Sequence, residues 1–94
     1  MRFQSGRFLT RGAASAIPLP LQLQMWGMIK DIPTPNHLQV FTLTGKDGEQ
    51  VILHEQEDPV YCNKISFPYP NPVDAKFYVI DDTDHCTMML AEEY

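Results

Sequence analysis

Ninety-four residues support one hydrophobic core and not two, because a chain of this length buries roughly 60–70% of the surface that its unfolded form exposes. With 44% apolar and 20% charged residues, the composition is that of an ordered globular domain and excludes the disordered and fibrous classes. The net charge of −5 is uneven: Arg2, Arg7, Arg11, Lys30 and Lys46 against Asp31 and Asp47 leave residues 1–48 at +3, while ten acids against Lys64 and Lys76 leave residues 49–94 at −8. An acidic half repels phosphate backbones and favours basic partners or cations if it favours any, but a solvated, solubilising face is the plainer account of it.

In chain order, Arg7 to Thr10 has the makings of a short strand, and a run of small residues leads on to Ile17-Pro18-Leu19-Pro20. Proline is tolerated in the first turn of a helix. From there Leu21, Met25, Met28, Ile29 and Ile32 fall on one face, with Gln24, Gly27, Lys30 and Asp31 opposite. This spacing predicts an amphipathic helix near residues 19–31, stopped by Pro33 and Pro35.

Beyond Asn36 the period becomes two. Leu38 to Thr44 and Gln50 to His54 read as strands joined at Asp47-Gly48, a strong hairpin signal. Glu57 to Tyr61 is expected to be a loop around Pro59, Ile65 to Phe67 a short strand, and the proline-rich Phe67 to Pro72 a loop. Ala75 to Ile80 and Cys86 to Leu90 flank Asp81-Asp82-Thr83-Asp84 as a second hairpin. The resulting expectation is an α+β fold: an antiparallel sheet of four to five strands with one amphipathic helix packed on a face, as a single domain over residues 1–94 with residues 1–6 mobile.

Several segments together resemble a known family: Leu9-Thr10-Arg11-Gly12, Ile17-Pro18 with Leu21-Gln22 and Trp26, Leu38 to Leu43, Ile52 to Glu57, and Ile80-Asp81-Asp82 through Thr87-Met88-Met89-Leu90 to Glu92-Glu93-Tyr94. The chain is similar here to a family of small uncharacterised proteins from low-GC Gram-positive bacteria, a domain of unknown function. The resemblance spans nearly the whole chain and is weakest over 61–75. It implies a small cytoplasmic bacterial protein and carries over no catalytic residue.

His54-Glu55-Gln56-Glu57-Asp58 lacks the second histidine of a zinc protease helix and leaves a strand, so the zinc reading fails. His54 with Glu57 or Asp58 remains a candidate acid–base pair, set against the commoner role of such residues as loop anchors. Asp81, Asp82 and Asp84 are candidate cation ligands, but lack the alternation of a calcium loop. Cys62 and Cys86 are too few for a disulfide framework and are expected to be buried thiols in a reducing compartment, with His37, His54 and His85 the only imidazoles to activate either.

Arg2, Arg7 and Arg11 interleave with Phe3 and Phe8, too sparsely to outweigh the acidic chain as a nucleic-acid site. Ala14-Ser15-Ala16 resembles a cleavage site, but polar residues break the segment before it, and no apolar run reaches membrane-spanning length. The resulting expectation is a cytoplasmic protein without cofactor that acts as a non-enzymatic interaction module, docking an unidentified protein through Leu23, Trp26 or the loop around Tyr69, with self-association as a way to protect the sheet's other face or an exposed edge. The alternatives are a small hydrolytic or metal-dependent enzyme using His54 and acidic residues, and an acidic regulator of a basic partner.

Overall fold

The computed structural model describes residues 6–94. The expectation of mobility for residues 1–6 therefore falls outside the described residues except at Gly6, which opens the first strand. The elements are β1 (Gly6–Leu9), α1 (Arg11–Ala16), α2 (Leu19–Lys30), β2 (Leu38–Lys46), β3 (Glu49–Gln56), β4 (Tyr61–Pro68), β5 (Ala75–Asp81), β6 (His85–Leu90) and a closing 3₁₀ turn (Ala91–Glu93). They form a six-stranded sheet in the order β1-β6-β5-β2-β3-β4. Every neighbouring pair is antiparallel except β1 with β6, which run parallel with Gly6 opposite His85.

The helix near residues 19–31 is present as α2, and its buried residues Leu21, Met25, Met28 and Ile29 are those of the expected stripe. The hairpin turns at Asp47 and Gly48, both with positive φ (50° and 79°), as a two-residue turn between right-twisted strands requires. Two expectations need correction. The helix count is two, because Thr10 caps α1 by accepting the Ala13 N–H at 3.2 Å, and the alanine-rich segment that follows has high helix propensity.

The sheet has six strands and not four or five, because residues 61–68 make a full edge strand. Tyr61, Asn63, Ile65 and Phe67 alternate toward the covered face, and Pro68 ends a strand whose outer edge needs no donor there. Among the described residues no helix is long and apolar enough to cross a membrane.

Within the core, Phe41 and Leu43 of β2, Ile52 of β3, Phe77 and Val79 of β5 and Met88 of β6 all point to one face. Ala13 of α1 and Leu21, Met25, Trp26, Met28 and Ile29 of α2 pack on that face. Among the described residues neither α1 nor α2 covers the opposite face. Its central positions, Leu38, Val40, Leu53, Tyr78, Ile80 and Met89, are only half-buried.

The two ends of the chain are fastened together. Glu93 accepts the Thr10 hydroxyl at 2.6 Å and the Leu90 N–H at 2.8 Å. The Thr10 hydroxyl, then the Leu90 and Gly12 N–H groups, hold its carboxyl below the usual glutamate value of 4.5. A β-carbon on Gly12 would stand 2.6 Å from this carboxylate, so Gly12→Ala should push Glu93 off the start of α1 and lower the melting temperature by a few degrees. A carboxyl with a depressed pKa contributes stability above its unfolded value and loses it as pH falls through the folded one. The gap between variant and parent should therefore close below pH 4.5, a result that calorimetry across pH 3–7 would check.

Candidate functional site

The expected acid–base pair is not assembled. His54 is fully buried on the covered face of β3, stacked on Phe41 at 4.2 Å between ring centroids, whereas Glu57 is exposed in the β3–β4 turn. Successive strand residues face opposite ways, so a histidine three positions before the strand's turn looks inward while the turn looks out. His54 Nε2 donates to Gln39 Oε1 at 2.7 Å, which fixes the neutral tautomer with its proton on Nε2. Its Nδ1 is a buried acceptor with no hydrogen-bond partner. Burial lowers the pKa of the ring from 6.5 to about 4.

From Gln39 the hydrogen bonds run outward. Gln39 Nε2 donates to the Asn36 carbonyl at 2.9 Å and to Gln56 Oε1 at 2.6 Å. Gln56 Nε2 in turn donates to the carbonyls of Pro59 at 2.8 Å and Thr34 at 3.1 Å. Asn36 closes the circuit, donating its N–H to Gln56 Oε1 at 2.6 Å and its amide to the Asp58 carbonyl. Two buried glutamines thus tie residues 34–36 to the turn at 57–60, which contains a cis Asp58–Pro59 bond. Both glutamine side chains find partners for their buried oxygen and nitrogen, and His54 joins the network through Nε2 alone, so the chemistry at His54 is that of an anchor.

Three pockets meet at the turn so anchored. The largest, about 360 Å³, lies on the uncovered face, with Leu38 and Val40 as floor, Tyr78 and Tyr94 as one wall and Glu55 and Glu57 at the rim. A second, about 130 Å³, shares Leu38, Val40 and Glu57 with it and adds Asp58 and His37. A third, about 220 Å³, lies between the end of α2 and the turn, sharing Gln56, Val60 and Tyr61 with the first. Val60 stands 88% exposed at the junction. Tyr94 meets Tyr78 edge-on at 5.1 Å, and the Lys76 ammonium lies 5.8 Å from the Tyr78 ring centre, an arrangement in which the ring face receives a cation.

The other candidates are dispersed. Trp26 is 5% exposed with the Arg7 guanidinium 4.9 Å above its ring, which makes it a packing element rather than an exposed anchor. Leu23 is 57% exposed on α2, one turn after Leu19, which is 61% exposed. Tyr69 is half-buried against Phe67, and its loop is pinned by Gln50, whose side chain accepts the Val73 N–H at 2.7 Å and donates to the Val73 carbonyl at 3.1 Å.

Asp81 faces the core and accepts the Thr83 N–H, while Asp82 lies 3.6 Å from His85 at the surface; among the described residues no three metal-ligating side chains gather. Cys86 is buried as expected but Cys62 is exposed, and they occupy opposite faces of the sheet. Arg7 and Phe8 also part, Arg7 over Trp26 and Phe8 edge-on to His85. Arg11 is exposed at the start of α1, and Arg2 and Phe3 lie outside the described residues.

The groove residues Leu38, Val40, Glu55, Tyr78 and Tyr94 had no motif to announce them. One signal was present: β2 and β5 are apolar at successive positions, Val40-Phe41 and Tyr78-Val79-Ile80, where a sheet open to water on one side alternates.

The described residues form a mostly antiparallel α+β sheet with helices on one face and a groove on the other, and among them no catalytic set is assembled. The chain belongs to the family described as "Staphylococcal protein of unknown function (DUF960)", whose model matches residues 6–93. It is also similar to a protein of unknown function from Enterococcus faecalis known from its crystal structure. That likeness has a TM-score of 0.86 at 24% identity and covers 100% of this chain and 96% of the other. At that identity it establishes the fold. No curated protein matches the chain.

Proposed function

We infer that this chain is a cytoplasmic, non-enzymatic protein-binding module whose docking surface is the uncovered face of the sheet, and that it takes a basic protein partner. One observation carries the reading: the centre of that face, from Leu38 and Val40 across Tyr78 to Met89, is apolar yet only half-buried. Such a face normally packs on something. With strands about 4.8 Å apart, six strands of some six residues present about 500–600 Å² a side, near the lower end for a specific interface. The net charge of −5 favours a partner of opposite sign.

Val40→Asp places a charge at the middle of this face without touching the core. It should abolish the complex captured from a cytoplasmic lysate of a related bacterium, with the far-ultraviolet spectrum unchanged, while Leu23→Asp on α2 leaves the complex intact. A complex lost with Leu23→Asp and kept with Val40→Asp would transfer the site to α2 and sink the reading.

A further inference from the structure

Within the docking face proposed above, and resting on that reading, the groove at the β3–β4 turn has a chemistry of its own. Its floor is aliphatic, its wall is two tyrosines, and its rim carries Glu55, Glu57 and, in the adjoining pocket, Asp58. Against these three acids the groove holds one cation, Lys76. That lysine already rests over the face of Tyr78, so the wall has the orientation that receives positive charge. At about 360 Å³ the pocket is large enough for one long side chain with its neighbours. The rim is also held still, since Asp58 and Pro59 give their carbonyls to Asn36 and Gln56.

We propose that this groove is a subsite for an arginine or lysine side chain of the partner, its aliphatic stem on Leu38 and Val40, its cationic head between the tyrosine wall and the carboxylates of Glu55 and Glu57. The shape suits such a side chain because it is apolar along its stem and charged at its tip. Lys76 is then a competitor for the same ring face. Its removal should strengthen binding, which a merely structural lysine would not do.

The test is a nuclear magnetic resonance titration of the full chain with three acetylated, amidated tetrapeptides: Leu-Arg-Leu-Arg, Leu-Gln-Leu-Gln and Leu-Glu-Leu-Glu. The expected result is a saturable shift of the Glu55, Glu57, Tyr78 and Tyr94 amides, with the arginine peptide at least about ten-fold tighter than the glutamine peptide at low salt, consistent with a desolvated cation–π contact plus an ion pair. The double variant Glu55→Gln, Glu57→Gln should erase that preference, and Lys76→Met should tighten the arginine peptide several-fold. Equal affinity for the arginine and glutamine peptides, or a preference for the glutamate peptide, overturns the proposal while leaving the face as a docking surface. Shifts at Val40 and Tyr78 that track the protein's own concentration overturn it in favour of a second copy. Peptide binding that survives while Val40→Asp leaves the lysate complex whole would instead sink the broader reading and keep the subsite.

Discussion

Lowering the pH from 7 to 4 should cost the fold about 3 kcal/mol through His54 alone. The folded ring titrates near 4 and an unfolded one near 6.5, so between these values the unfolded chain binds the extra proton and the native state does not. Stability is accordingly complete above pH 6.5 and declines as the pH falls toward 4. The cause is geometric: the ring is enclosed by Phe41 and Tyr61, its Nε2–H is committed to Gln39, and a proton added at Nδ1 would be a buried charge without a hydrogen-bonded partner. Urea unfolding at intervals of half a pH unit would measure the slope, and His54→Phe supplies the reference. The variant should be less stable at pH 7, because Gln39 Oε1 loses its donor, yet its slope between pH 6.5 and 4 should be shallower than the parent's. Parallel slopes would show that the proton load lies on other groups.

Trp26→Ala should destabilise the chain by about 3–5 kcal/mol, the range for deleting a large buried aromatic. A domain of this size has roughly 5–15 kcal/mol in all, so the variant should melt at least about 12 °C lower or fail to fold at room temperature. The ring packs in the cluster with Leu21, Met25 and Ile29 and carries Arg7 above it, so truncation opens a cavity and removes the surface on which Arg7 of the edge strand rests. Leu23→Ala, three residues earlier and exposed at the margin of the buried stripe of the same helix, should change stability by less than about 0.5 kcal/mol. Thermal melts of the two variants separate the roles cleanly. If Trp26→Ala melted with the parent, the ring would be an external anchor after all.

How much of this was legible in the sequence follows from the range of each interaction. The stripe from Leu21 to Ile29 and the Asp47-Gly48 turn are local signals, set by side-chain period and by the backbone angles a glycine permits, and both elements stand where those signals put them. β4 was legible only in its second half, Ile65 to Phe67, because the polar Asn63 and Lys64 follow a turn around Pro59 and the extension back to Tyr61 carries little apolar signal. The partner of β1 lies almost a whole chain away in β6, and no local pattern encodes a parallel pairing of that span.

The candidate site was less legible still. His54 and Gln56 belong to the segment singled out as catalytic, but as neighbours on a strand they could not be assigned to a face before the register was known. That register turns His54 inward onto Gln39, and so changes a possible proton donor into part of a brace. Glu57, four positions from Leu53, is left outside as rim. Buried glutamines give no warning in a sequence, since glutamine is ordinarily a surface residue.

The parallel pairing of Gly6–Leu9 with His85–Met88 bears on how the protein is made. A ribosome adds residues at about 5–20 per second, so about 4–16 s separate the emergence of β1 from that of its neighbour β6. The β2–β3–β4 meander can close during this interval from contacts near in sequence, while β1 and the start of α1 wait for a surface to join. Translation order and assembly order are therefore opposed for β1: it is made before the meander yet is among the last strands to be seated, and shortening the chain before His85 should release it while leaving the meander's own pairings available.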